Sequence, residues 1–256
     1  MRRFFIQKKD ITESFATITG SDATHMQKVL RLTKGQRIEL LDESGVGYSA
    51  EITHVSAEAV DVTILGMTDS ETESPIRLIV AQAFLKDRKM DTLVRQLTEL
   101  GVSFFFPFMA KRSIARPDRQ RLATRMERWK KIAKESVKQC RRNRVPEIGP
   151  ALSFKETLDF GKQCNLRIVL WENALIPLNH KMTHHGTQKK TILLMLGPEG
   201  GFSFQEIEKA EEAGFAVASL GPRILKAETA PIAACTIIQY LFGDLGINNK
   251  FLDKQP

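Results

Sequence analysis

Two short turns carry the residue types from which a ligand site could be built. The first is Leu196-Gly197-Pro198-Glu199-Gly200-Gly201-Phe202-Ser203. The second is Leu220-Gly221-Pro222-Arg223-Ile224-Leu225-Lys226-Ala227-Glu228-Thr229-Ala230. Each follows an apolar stretch with the composition of a strand, 191–196 and 216–220. Glycine lets a backbone approach a ligand closely and take up positive φ. A carboxylate or guanidinium beside it can bind a polar group or handle a proton. In open α/β sheets, ligands gather beyond the carboxyl ends of the strands, where both turns fall. Ser203, with Glu206 three residues on, reads as a capping box and not as a nucleophile, because no G-x-S-x-G elbow surrounds it.

Other chemistries find less support. No phosphate-binding G-x-x-x-x-G-K-[ST] is present, and no G-x-G-x-x-G opens a helix after a strand. His184-His185 has no carboxylate or cysteine at ligand spacing, so these histidines read as loop and no metal is expected. Cys140, Cys164 and Cys235 are widely spaced and odd in number, which fits neither a zinc site nor a disulfide framework and suits a reducing cytoplasm.

The turns need a scaffold, and the pattern around them supplies one. Before residue 70 the chain reads as β-rich, with strands at Arg37–Leu41, Tyr48–Ile52 and Ala59–Ile64. The polar stretch 68–75, ending in Pro75, reads as a linker. Beyond it strands and helices alternate. Strands are expected at 76–84, 102–106, 166–171, 191–196 and 216–220, and helices at 90–100, 118–140, 204–213 and 229–242. Gly101 stands where a C-terminal cap belongs. Such alternation implies a mostly parallel sheet covered by helices.

Composition narrows the function classes. At 42% apolar and 27% charged, the chain is that of a globular protein. No apolar run nears the roughly 20 residues that span a bilayer, and the apolar start at Phe4-Phe5-Ile6 is too short for a signal peptide. The net charge of +8 is unevenly placed: residues 111–147 alone carry +10. A surplus packed into one segment points to a polyanion. On a helix, Met126, Trp129, Ala133, Val137 and Cys140 share one side. Arg128, Lys131, Lys134, Lys138 and Arg142 share the other, a row of cations suited to phosphates.

Taken in order, these segments resemble the bacterial ribosomal small-subunit RNA methyltransferases that modify uridine at N3, a family of the knotted SPOUT class. The likeness runs nearly end to end. It includes Met1-Arg2-Arg3-Phe4-Phe5, His25 with Val29-Leu30-Arg31-Leu32, and Thr98-Glu99-Leu100-Gly101-Val102. It continues through Arg128-Trp129-Lys130-Lys131-Ile132 and Arg144-Val145-Pro146-Glu147-Ile148. Its most specific parts are Gly197-Pro198-Glu199-Gly200-Gly201 and Leu220-Gly221-Pro222-Arg223-Ile224-Leu225 with Glu228-Thr229-Ala230. Three departures stand out. The family usually has Gly at 87, where this chain has Asp87, and Gly at 141, where it has Arg141. It usually has Arg-Thr at 226–227, replaced here by Lys226-Ala227.

The resemblance implies an α/β fold: a small PUA-like β-barrel over 1–72 that binds RNA, then a SPOUT-type parallel sheet over 73–256 whose C-terminal chain forms a trefoil knot. It implies a cytoplasmic homodimer, with no membrane attachment, acting on ribosomal RNA within an assembled small subunit. The cofactor would be S-adenosylmethionine, held by Leu196, Gly197, Glu199, Gly200, Gly201, Leu220, Gly221, Ile224, Leu225 and Thr229. Arg223 would stabilise charge on the base, Glu199 or Glu228 would take its proton, and Thr229 would orient the base or cofactor. Glu228 could equally be a carboxylate at a helix N-terminus, satisfying the dipole. RNA contacts would come from Arg2, Arg3, His25, Arg31 and Arg112 together with the cation row of the basic helix. Two other readings remain: a non-catalytic RNA-binding protein that keeps a cofactor pocket, and a related SPOUT enzyme acting on another nucleotide or on transfer RNA.

Overall fold

The computed structural model describes residues 1–68, 72–86, 88–179 and 191–246. Part of the linker stretch, Asp87 and the His184-His185 pair lie outside the described residues. The chain divides into two compact units. One is Met1–Glu73 with Val137–Arg144, and the other is Ser74–Ser136 with Val145–Pro256.

The first unit contains β1 (Arg2–Phe5), β2 (Ile11–Thr12), β3 (Phe15–Thr19), β4 (Arg37–Leu41), β5 (Gly47–Val55) and β6 (Ala59–Thr68), with α1 (Gly20–Thr24) running on into a π-helical turn at His25–Val29. Its six-stranded sheet has the order β1-β4-β5-β6-β3-β2, antiparallel except for β1 against β4. The three expected strands are present. β1 and β3 are additions, because charge in Arg2-Arg3 and the short alternation Phe15–Thr19 gave weak local signals. Asp42 fixes the turn between β4 and β5. Its Oδ1 accepts from the Ser44 and Val46 amides, each at 2.9 Å, and its Oδ2 from the Tyr48 hydroxyl at 3.0 Å. Although burial alone would raise it, these donors hold the Asp42 carboxyl below its ordinary value.

The second unit is an α/β layer structure. It comprises β7 (Arg77–Ala83), α2 (Lys89–Glu99), β8 (Phe104–Met109), α3 (Arg119–Cys140), β9 (Glu147–Ile148), β10 (Leu152–Ser153), α4 (Phe154–Gly161), β11 (Leu166–Leu170), β12 (Thr191–Leu196), α5 (Phe204–Glu212), β13 (Ala216–Ala218) and α6 (Thr229–Phe242). The last residues of α3, from Val137, cluster with the first unit. The seven-stranded sheet runs β10-β8-β7-β12-β11-β13, with β9 also on β8, and its strand pairs are parallel. Strand alternation divides the core by face. Leu78, Val80, Ile192 and Leu194 pack with Leu93 and Leu97 of α2, Trp129 of α3 and Ile238 of α6. Ile79, Ala81, Leu193 and Met195 pack on the other side with Leu158 of α4 and Ile207 of α5. Both faces are covered, which is why these strands read as continuous apolar runs.

Two differences from the sequence reading have local causes. β8 begins at Phe104 and not Val102, because the Val102 amide closes the end of α2 on Leu97 O at 3.0 Å, with Gly101 at φ +78°. Helix α4 was not anticipated, yet Ser153 and Glu156 form the same capping box that marks Ser203 and Glu206. Among the described residues no helix is long and apolar enough to cross a membrane.

Candidate active site

The two turns meet. A cavity of about 600 Å³ opens beyond the carboxyl ends of β11 and β12, lined by Leu170–Glu172, Leu196–Phe202 and most of Leu220–Glu228. Leu196, Gly197, Glu199, Gly200, Gly201, Leu220, Gly221, Ile224 and Leu225 all line it, as do Arg223 and Glu228. Thr229 does not. It is the first residue of α6, exposed, with its amide bonded to Lys226 O at 2.8 Å. Its neighbours Glu228 and Ala230 do line the cavity, so Thr229 stands at its edge.

Elements behind the cavity fix the first turn at both ends. Gln82, fully buried on β7, donates to Gly197 O at 2.9 Å. Arg112 donates from Nη1 to Gly200 O at 3.0 Å and Phe202 O at 3.2 Å. Arg112, expected on RNA, thus clamps the glycine turn. The turn's crowding explains its glycines. A Cβ on Gly201, which has φ +65°, would lie 2.7 Å from Glu172 Oε1, and one on Gly200 would lie 3.2 Å from Arg112 Cβ. Gly221 differs: at φ +100° it has nothing within 4 Å of a Cβ. Below the turn, Glu206 accepts from the Ser203 amide and hydroxyl, both at 2.8 Å, and from the Lys111 amide at 2.7 Å. Ser203 is a capping residue.

Charge in the cavity is organised by a residue that the sequence reading did not single out. Lys89, the first residue of α2, places Nζ 3.2 Å from Glu199 Oε1 and 3.3 Å from Glu228 Oε2. Glu199 Oε1 also accepts from the Lys86 amide at 3.0 Å. Burial pushes the Glu199 carboxyl up, but these donors outweigh it and hold the group below its ordinary value. The bond to Glu199, reinforced by Glu228, raises the Lys89 ammonium above its ordinary value. A signal was available: lysine in the first turn of a helix opposes the dipole, so it calls for anionic partners. Trp171 and Glu172 were missed as well. The Trp171 indole nitrogen is buried with no hydrogen-bond partner among the described residues.

The residues expected on RNA separate into groups. Arg2, His25, Arg31, Arg128, Lys131 and Lys134 are exposed. Trp129, Ala133 and Val137 are buried, as the helix pattern requires. Arg128 is tied to Asp91 at 2.8 Å, whose other oxygen accepts the Trp129 indole at 2.9 Å. Three cations are turned inward. Arg3 pairs with Glu39 and donates to Arg142 O, Lys138 pairs with Asp22 at 2.9 Å, and Arg142 pairs with Glu73 at 2.7 Å. These three are corrected from RNA contacts to internal ion pairs of the first unit. The cation row misled at Arg142 because α3 ends at Cys140, and at Lys138, inside the helix, because its partner Asp22 is distant in sequence.

A family profile described as an RNA methyltransferase domain matches residues 72–239, and one described as an RNA methyltransferase PUA domain matches 18–65. The ribosomal RNA small subunit methyltransferase E of Bacillus subtilis is 32% identical, covering 94% of this chain and 96% of its own length. The chain belongs to the ribosomal RNA small subunit methyltransferase E family. Solved structures agree. The Neisseria gonorrhoeae methyltransferase E, bound to S-adenosylmethionine, superimposes with a TM-score of 0.85 at 31% identity, covering 95% of this chain and 99% of that one. A putative methyltransferase from Legionella pneumophila, also in complex with S-adenosylmethionine, gives 0.85 at 28% identity over 95% and 98%. The turn cavity brings strand ends, both glycine turns and converging charges together.

Proposed function

We propose that this chain transfers the methyl group of S-adenosylmethionine to N3 of one uridine in small-subunit ribosomal RNA, using the cavity between the two glycine turns. That cavity carries the reading. Its volume lies within the roughly 300–1,000 Å³ of small-molecule sites. Its lining fits an amphipathic cofactor: Leu196, Leu220, Ile224 and Leu225 offer apolar surface, and Glu172, Arg223 and Lys226 offer charged groups. When bound, the cofactor supplies a methyl group on a sulfonium, already activated for transfer.

The protein's task is then alignment and charge. Holding N3 in line with the methyl group converts an encounter into a unimolecular step. Loss of the N3 proton spreads negative charge onto the uracil oxygens, and Arg223, exposed at the cavity wall, is the cation to stabilise it. Glu228, with its side chain 36% exposed at the cavity wall, is the candidate base. Glu199 is held ionised by the Lys86 amide and Lys89, which lowers its affinity for a proton.

The domain assignment follows the same reading, with residues 1–72 engaging RNA and 73–256 carrying the cofactor and, in this class, the trefoil knot. Two copies of the chain form the working enzyme in the cytoplasm. Light scattering of the purified chain at twice its 28.9 kDa mass would accord with this, and a monomer would refute it. The central experiment on function incubates the chain with methyl-labelled cofactor and unmodified small subunits, then maps the label. It should appear at N3 of a single uridine. Label on another base or ring atom overturns the assigned position, and label on transfer RNA alone overturns the substrate.

A further inference from the structure

The Lys89 ammonium has three N–H donors. The carboxylates beside it come from separate segments: Glu199 from the turn after β12, and Glu228 from the residue that precedes α6. Lys89 stands at the N-terminus of α2, where the helix dipole disfavours a cation. An amine placed against its own helix and between two anions has a role beyond solvation. Its side chain is 33% exposed and lines the cavity, so the pair is not a remote surface contact.

We infer that Lys89 is a positioning residue that locks Glu228 toward the cavity and ties the first glycine turn to the start of α6. This rests on the proposed methyl transfer. The other charged groups around the cavity are Arg223, Lys226 and Glu172. Among the described residues, Lys89 is the cation seen paired with either Glu199 or Glu228. Without it, Glu199 loses one of the donors that hold its carboxyl down, and Glu228 loses the ion pair that orients it. The departure of Lys226 from the family's usual arginine lies close by, but Lys226 makes no ion pair with either glutamate among the described contacts.

The test compares Lys89→Met, which keeps the aliphatic stem, with Lys89→Arg, which restores the charge. Carbon-13 NMR of labelled glutamates in the unliganded chain reads the carboxylates directly. The Glu199 midpoint should rise by about one pH unit in Lys89→Met and return toward the parent value in Lys89→Arg. Single-turnover methyl transfer to saturating small subunits, counted as total label on any nucleotide, should fall about tenfold or more in Lys89→Met, with cofactor affinity changed less than about threefold. The pH profile of transfer should differ from the parent's in Lys89→Met and return toward it in Lys89→Arg. Should Lys89→Met fail to fold by thermal melting, Lys89→Gln replaces it in the same measurements. An unshifted Glu199 midpoint, or an unaltered transfer rate and pH profile in a folded variant, overturns the inference. A parent chain that transfers no methyl overturns the functional reading instead, while the glutamate titration still decides whether Lys89 governs the two carboxylates.

Discussion

Arg141 follows the last residue of α3 with φ +64°, in the left-handed region that glycine occupies at little cost. The resemblance leads one to expect glycine there, and this backbone conformation suits it. Arg141→Gly should stabilise the chain by about 0.5–1 kcal/mol, the relief of left-handed strain less the added freedom of the unfolded glycine. Thermal melting should rise by about 1–4 °C, and an unchanged or lower midpoint would show that the arginine side chain earns its place by contacts. Glu199 gives a second prediction at this scale. Its folded carboxyl lies below the ordinary value near 4.3, so its contribution is complete above that value and disappears as pH falls through the lower, folded one. Denaturant melts of the parent and Glu199→Gln should differ by a constant amount from about pH 6 to 8 and converge on acidification. A gap that persists at low pH would mean that the amide loses packing and not charge. The glycine turns and Arg223, Glu199 and Glu228 were legible in the sequence because turn chemistry is local. Lys89 was not, since its partners lie 110 and 139 positions away in the chain.

At the scale of elements, α3 is the instructive case. Its bounds and its buried side were readable, because a 3.6-residue period states which residues pack. Which cations stay exposed was not readable, since Asp22 and Glu73 are distant in sequence from Lys138 and Arg142. The two classes of cation should therefore respond differently. Lys131→Gln with Lys134→Gln should weaken RNA binding and reduce the dependence of log affinity on log salt by roughly one unit per lost phosphate contact. Lys138→Gln should cost about 1–2 kcal/mol of stability, because it leaves Asp22 unpaired at a half-buried site, and should alter the salt slope little. Filter binding across a salt series and chemical denaturation separate these effects. A parent-like slope in the double variant would move the RNA surface to the exposed Arg2, His25 and Arg31 of the first unit.

Across the whole molecule, the order of strands and helices after residue 76 could be read because each element repeats its own period. The sheet order could not. β12 lies between β7 and β11, a pairing set by crossover connections that local pattern does not encode. The return of residues 137–144 to the N-terminal unit escaped the linear domain reading for the same reason. What this topology achieves is to bring the ends of β11 and β12 and the chain after β13 to one cavity. The measurement that tests this most directly is calorimetric titration of S-adenosylmethionine into the parent chain, Gly221→Val and Ile224→Trp. Gly221 has nothing within 4 Å of a Cβ but sits at φ +100°, so valine there adds backbone strain as well as bulk, whereas Ile224, 83% exposed on the cavity wall, takes extra bulk without displacing core. Thermal melting of each variant establishes that it is folded. One cofactor should bind per parent chain, and binding should weaken by about tenfold or more in both folded variants. Parent-like affinity in a folded Ile224→Trp would contradict this and place the cofactor elsewhere.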